Sequence, residues 1–467
     1  MSKLRPYLAD IASAIREKKG SSEPINAKDF SNEIRSIQSG AVEIERNDVN
    51  FYDYDGTLLF AYTLAETQAL TELPTPKGHE GLVFQGWNWD YEDVIALDYP
   101  MDIGAMYITD DGKTRFYLVV EDEEGVDIEL GFTQTANDVI VDFGDGSPTQ
   151  TSADAKAIIP HHYAKGSYVL KMWSQGKRKY TFLQSAATTN TFGGVTDASS
   201  MILKKIEFGE NATVEGYAFQ RCTNLETISV YREFNGSSFG WTSTFESCLR
   251  LKHLNIPKGS QRLFGAMLQF CLSLKCITFP NSPIFLHDLA VARSGLRFVR
   301  ISKNANMEKY IPLSYTEIEE FDFTAKTTSS NGFFRECKKL KRVKNIEGCI
   351  IYSNYFYGCY SLEEVKIPSE QTIMYSHGFT DCKTLRELTF PKGIVTIQGY
   401  AFYGSGIGKF DFSALEAVPT LENTNAFLGT LATSKIIVPD ALYDDWKAAT
   451  NWSTYADRIV KASEYNG

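Results

Sequence analysis

The chain has 467 residues, with 47 Lys and Arg against 58 Asp and Glu and a net charge of −11; it is too long for a single compact core. A hydrophobic fraction of 43% excludes wholesale disorder, and the acidic balance argues against a nucleic-acid binder, which needs a basic face for phosphate. With no run of about 18 apolar residues, no helical membrane insertion is expected.

Residues 1–40 are predicted to form a helical hairpin. Leu4, Leu8, Ile11 and Ile15 make one helical stripe, broken at Gly20 and Pro24. Asn26 can cap a second helix whose stripe is Phe30, Ile34 and Ile37, stopped by Ser39-Gly40. Two helices with one narrow stripe each bury little alone. The hairpin is therefore expected to attach to a partner or to oligomerise, a lid on the next domain being the alternative. The stretch Leu8-Ala-Asp-Ile-Ala-Ser-Ala-Ile-Arg-Glu-Lys-Lys-Gly20 with Ile25–Ile37 resembles one common in tail and appendage proteins of phages and prophages. That resemblance implies a virion structural protein. The first ten residues lack the apolar segment of a secretory signal, so the chain is expected to be made and left in the cytosol.

Residues 47–110 alternate apolar and polar through Val49–Phe60 around an Asp55-Gly56 turn. The Pro-rich link Leu73-Pro-Thr-Pro-Lys-Gly78 and the strand Leu82–Trp87 follow. This small β module resembles the internalin B-type repeat, which implies a spacer or binding unit. Phe51-Tyr-Asp53-Tyr-Asp55-Gly-Thr57 also matches the signature of haloacid-dehalogenase phosphatases, with Asp53 as nucleophile and Asp55 as general acid. Such chemistry needs a doubly wound α/β sheet, whereas the letters that follow spell Pro-rich β segments. The turn is therefore preferred over the phosphatase.

Residues 112–185 carry Val139-Ile-Val-Asp-Phe-Gly-Asp-Gly146 and His162-Tyr-Ala-Lys-Gly-Ser-Tyr-Val-Leu170. Both resemble marker strands of polycystic-kidney-disease (PKD) domains, implying a small β-sandwich. His161 and His162 are adjacent on a strand and point to opposite faces, so they are not expected to share a metal. Asp142, Asp145 and Asp154 could hold calcium, but a Gly-Asp-Gly turn forms without one; whether this module binds calcium is left open.

Residues 186–439 repeat a unit of aromatic, two residues, small residue, two residues, Leu, two residues, apolar, one residue, apolar. Phe379-Thr-Asp-Cys382-Lys-Thr-Leu385-Arg-Glu-Leu388-Thr-Phe390-Pro391 is a full copy. The small-residue slot is read at Ser200, Cys222, Cys248, Cys271, Ser294, Tyr315, Cys337, Cys359, Cys382, Ser405 and Thr430. Each unit is one coil of a solenoid that cannot cover its own apolar side and depends on stacked neighbours. The unit resembles the BspA-like leucine-rich repeat, which implies a parallel strand per coil. Six of the eight cysteines occupy the slot and are expected as buried free thiols rather than disulfides or zinc ligands.

Residues 440–467 are predicted as a C-terminal helical cap, with Asp440 as N-cap and a Leu442/Trp446/Ala449 stripe. Tyr352, Tyr355, Tyr357, Tyr360, Tyr375, Tyr400 and Tyr403 cluster in late coils, where exposed rings could stack on sugars or anchor a protein.

The expected fold is multidomain and mainly β: an N-terminal helical hairpin, two small β modules, and a leucine-rich-repeat β-solenoid with a C-terminal helical cap. The expected function is that of a non-enzymatic bacteriophage virion appendage of fibre or tail type. Its N-terminal hairpin would join other virion proteins, the β modules would act as spacers, and the solenoid would meet a bacterial surface glycan or protein, with a homotrimer possible. Its expected place is the virion, assembled in the host cytoplasm and released by lysis. The alternatives are an adhesin on the bacterial cell surface and a virion decoration protein with no receptor. No catalytic, cofactor-binding or metal residue is assigned, and no cofactor.

Overall fold

The computed structural model describes residues 44–136, 138–182, 191–193, 198–230, 243–260, 262–263, 265–282, 285–286, 289–304, 313–323 and 331–465. The chain divides into two units, Met1–Asn47 and Asp48–Gly467, and the described strands and coils all lie in the second. The helical hairpin expected over 1–40 lies outside the described residues.

Strands β1 (Val49–Tyr52) and β2 (Leu58–Tyr62) pair antiparallel through the Asp55-Gly56 turn. Strands β3 (Leu82–Trp87) and β4 (Met101–Thr109) complete a four-stranded sheet of order β2-β1-β4-β3. Its core is aromatic: Phe51 meets the Trp87 ring edge-on at 4.8 Å and Tyr62 at 5.9 Å. β4 shows no alternation, being buried at every residue but one, the mark of a strand covered on both faces. One face lies on its own module. The other crosses the solenoid strands Thr227–Ser229, His253–Asn255 and Cys276–Thr278. Gly104 permits that approach, since a Cβ there would sit 2.2 Å from the Thr278 hydroxyl.

The seam is polar, with hydrogen bonds donated across it from both sides. Asn88 donates to the Ile256 carbonyl at 3.0 Å, Trp89 to the Phe279 carbonyl at 2.7 Å, and Asn255 to the Ala105 carbonyl at 3.0 Å. Arg300 reaches the Asp48 carbonyl at 2.6 Å and buried Asp102 at 3.2 Å.

Strands β5 (Thr114–Val120), β6 (Val126–Gln134), β7 (Val139–Asp142), β8 (Gln150–Thr151), β9 (Lys156–Tyr163), β10 (Gly166–Ser174) and β11 (Tyr180–Phe182) form two sheets. Both sheets run on into the solenoid. β5 pairs antiparallel with Leu203–Glu207 of the first coil, and β11 pairs parallel with Ala212–Val214. The two modules therefore pack along and into the solenoid rather than standing free of it. β4 is buried on both sides, whereas β5 alternates buried and half-buried residues.

A β-solenoid of about ten turns covers residues 205–461. One stack of parallel strands includes His253–Asn255, Cys276–Thr278 and Phe298–Val299, and later Glu387–Thr389, Lys409–Asp411 and Lys435–Val438. A second stack includes Ile373–Met374, Thr396–Ile397 and Thr420–Leu421. Between coils the phenylalanines form a spine. Phe334 and Phe356 stack at 5.6 Å, Phe356 and Phe379 at 5.4 Å, and Phe402 and Phe427 at 5.1 Å.

The slot thiols form a second spine. All eight cysteines are free and buried. Cys248, Cys271, Cys359 and Cys382 each donate to a phenylalanine carbonyl of the preceding coil at 3.1–3.3 Å. Tyr315 does not fill the slot expected of it. Its ring is exposed, and Thr316 sits inside with its hydroxyl on the Leu313 carbonyl at 2.7 Å. A phenol is too large for a position that elsewhere holds Cys or Ser, so the register moves by one residue.

The C-terminal cap is helical only in part. One short helix, Tyr443–Ala448, and three 3₁₀ turns accompany the strand Ile459–Lys461, which pairs parallel with Lys435–Val438 and adds a last rung. Asp440 is not the N-cap; Pro439 holds that place. The Asp440 carboxylate accepts from the Ser463 amide at 3.1 Å and from the Ser463 hydroxyl.

Candidate functional site

In most of the described coils the turn before the small-residue slot holds two left-handed residues four apart, with glycine at Gly332, Gly358 and Gly404. Glycine is the usual occupant of that conformation, and other residues incur about 1–2 kcal/mol. Here the first position carries Tyr217, Ser243, Ala266, Leu289, Asn354, His377 and Tyr400. The second carries Arg221, Ser247, Phe270, Arg293, Tyr315, Glu336 and Asp381. Amides on these turns donate to the next coil, as Phe334 does to Tyr355 at 2.9 Å and Phe379 to Ala401 at 2.8 Å. The strain is thus held by stacking, and it sets large side chains in rows along one edge. Strained backbone of this kind gathers at functional sites.

In the late coils two of these residues, His377 and Tyr400, join neighbouring side chains in a continuous strip. Arg335 lies over the Tyr357 ring at 4.9 Å, and Tyr357 meets His377 at 6.0 Å. His377 and Tyr400 stack at 5.1 Å with 2° between their planes, and Tyr400 meets Tyr403 edge-on at 5.7 Å. Burial and the nearby Arg335 charge both lower the pKa of His377, keeping it neutral at pH 7. Tyr400, Tyr403 and Tyr360 are 37–38% exposed. Tyr352 and Tyr375 form a separate pair at 5.2 Å. Of the seven tyrosines singled out from sequence, Tyr355 belongs elsewhere: it is buried and stacks on Phe333 at 5.7 Å.

The other singled-out residues are absorbed by structure. Asp53 accepts from the Tyr54 amide at 2.8 Å and lies 2.7 Å from His79 Nε2, closing the β1–β2 turn, while Asp55 accepts from the Thr57 amide. The sheet they sit on is not doubly wound, so the phosphatase geometry is missing. His161 stacks on Phe143 at 3.8 Å and bonds Asp145 at 2.8 Å, whereas His162 pairs with Asp127. Burial opposes the Asp145 charge, but hydrogen bonds from Ser147 and His161 outweigh it and lower its pKa to about 2. Asp142 accepts from the Gly144 amide. The Asp154 carbonyl, rather than its carboxylate, accepts from Gln134.

A second feature was not singled out from sequence. A cleft of about 780 Å³ opens between the Asp55-Gly56 turn and the coils around Lys275, Arg293, Arg297 and Tyr315. The signal for it was present: Lys252, Lys275 and Arg297 each stand immediately before a strand, at nearly the repeat interval.

The fold defines a solenoid repeat protein with two exposed side-chain features, the late-coil strip and the cleft. Residues 197–312, 238–349 and 349–443 match the BspA type leucine rich repeat region, in six copies, together more than half of the chain. The chain belongs to that family, whose members are usually non-catalytic binding proteins. A crystal structure of a leucine-rich repeat protein from Bacteroides ovatus is similar, at 22% identity over 55% of this chain and 66% of that one, with a TM-score of 0.45. No curated protein matches the chain. Among the described residues no helix is long and apolar enough to cross a membrane.

Proposed function

We propose that this chain is a non-enzymatic recognition protein of a phage particle. In this proposal the N-terminal segment joins the virion and the late-coil strip meets a bacterial surface. The observation that carries recognition is the strip Arg335–Tyr357–His377–Tyr400–Tyr403, where ring and cation contacts hold partly exposed side chains in register from coil to coil. Rigid aromatics with a polar tip and a stacked cation are the side chains that dominate binding interfaces. The virion setting is supported by the likeness of residues 8–37 to phage tail and appendage proteins. The packing of both β modules on the early coils leaves the late-coil strip uncovered by them. A surface adhesin of a bacterium uses the same strip in a different setting.

Binding of the full chain to host envelope fragments should fall tenfold or more in Tyr357→Ala/Tyr400→Ala, about 1.4 kcal/mol or above, with an unchanged melting temperature. Equal binding by the double variant removes the strip from recognition. Immunogold labelling of intact particles tests the setting: label on the particle supports the virion, and label only on the cell envelope supports the adhesin.

A further inference from the structure

We propose that the cleft between the Asp55-Gly56 turn and the coils around Lys275, Arg293, Arg297 and Tyr315 binds an anionic oligosaccharide, one bearing phosphate or carboxylate groups. This rests on the reading of the solenoid as a recognition protein and adds a ligand class and a second site.

The residue just before each strand forms a row up the solenoid: Glu226, Lys252, Lys275, Arg297, Glu319, Lys341. It is held in register by amide-to-carbonyl bonds such as Lys275 to Lys252 at 3.0 Å and Arg297 to Lys275 at 3.2 Å. Successive strands in such a stack lie about 4.8 Å apart. Elsewhere the row neutralises itself: Lys252 pairs with Glu226 at 2.6 Å, and Lys341 approaches Glu319 at 4.0 Å. Lys275 and Arg297 break that pattern. They are consecutive, both exposed, and among the described residues neither has a carboxylate within ion-pair distance. Like charges on adjacent rungs are destabilising, so an acidic chain that keeps two together retains an arrangement that a bound anion would relieve.

The cleft also has the other parts of a sugar site. Arg293, likewise without a carboxylate partner among the described residues, lies over the Tyr315 ring at 4.7 Å. Leu272, 59% exposed, lines the same cleft. Guanidinium and ammonium groups meet phosphate or carboxylate, while the Tyr315 ring and Leu272 offer apolar surface to a pyranose face. Two carboxylates line the cleft, and one of them, Glu317, is already paired with Lys339 at 2.6 Å. A volume of about 780 Å³ is that of a small-ligand site. A long nucleic acid does not fit the chemistry, because the net charge of −11 repels phosphates that run beyond the cleft.

Calorimetric titration of the full chain tests the site with three disaccharides of one size: a phosphorylated, a uronic-acid and a neutral one. The charged pair should bind at least tenfold more tightly than the neutral sugar, and their affinity should fall as salt rises. Which of the two binds better identifies the source of the anion. Lys275→Ser/Arg297→Ser should lose that preference tenfold or more at unchanged melting temperature, while Lys341→Ser keeps it. Anionic sugars that bind no better than the neutral one overturn the proposal, and so does undiminished binding by the double variant. Equal binding of inorganic triphosphate overturns the saccharide assignment. Failure here is separable from failure of the wider function. Envelope binding that survives Lys275→Ser/Arg297→Ser but not Tyr357→Ala/Tyr400→Ala removes the cleft and keeps the strip.

Discussion

Trp452→Ala should destabilise the unit by about 3–5 kcal/mol, the range for emptying a buried tryptophan site. The Trp452 side chain is fully buried and its indole N–H donates to the Pro419 carbonyl at 2.8 Å. Its ring touches Trp446 at 5.2 Å, Phe427 at 5.6 Å and Phe412 at 5.9 Å. These are the last members of the phenylalanine spine, and no later coil covers them. Removing the ring opens that spine at its end, where a stacked array has one neighbour instead of two. Urea unfolding followed by circular dichroism measures the loss. Trp452→Phe keeps the packing and forfeits the hydrogen bond, and should cost about 1–3 kcal/mol because a buried carbonyl is left unpaired. An alanine variant within about 0.5 kcal/mol of the parent would show that the C-terminal segment does not close the core.

Alkali should unfold the protein steeply. Burial raises the pKa of Cys222, Cys248, Cys271, Cys359 and Cys382, and brings that of Cys337 up to about 11. An unfolded thiol ionises near 9, so the unfolded chain releases its protons first. The contribution is complete below pH 9 and is lost as pH rises toward 11 and beyond. Each such thiol removes about 1.4 kcal/mol per pH unit above 9. Six together remove roughly 8 kcal/mol per unit, as much as the whole stability of many domains. Melting temperatures at pH 7.5, 9 and 10 measure this, with thiolate absorbance recorded alongside. Absorbance that rises near pH 9 while the native spectrum persists would contradict buried thiols. A thiol-reactive aromatic disulfide at pH 8 should label the chain only after urea is added.

Much of the solenoid was legible because its chemistry is periodic. The Leu251/Leu254/Ile256 and Leu274/Ile277/Phe279 triplets follow a slot cysteine at fixed offsets, and all of these residues are buried. Tyr315 misled because counting from neighbouring slots cannot separate it from Thr316, and only the size of the pocket decides. The strand in Ile459–Lys461 was hidden by its neighbours, since Trp452–Arg458 has helical spacing and three residues carry no period. The seam between β4 and the early coils left one trace, the glycine at 104 in a mostly apolar strand. Asn88 and Asn255 gave no sign that they would meet solenoid and module backbone across 150 or more residues. The tyrosine strip was visible as composition, but its order arose from contacts between coils, with left-handed backbone only at His377 and Tyr400.

The continuity of the two sandwich sheets with the first coil has a consequence for assembly. At the front of the array the strand edges are already occupied by β5 and β11, and at the rear the terminal strand is three residues long and ends on Lys461, which pairs with Glu464. Among the described residues, neither the first nor the last coil of the solenoid offers a long bare edge of the kind through which β proteins polymerise. Copies meeting at those coils would join through side chains and not through shared backbone.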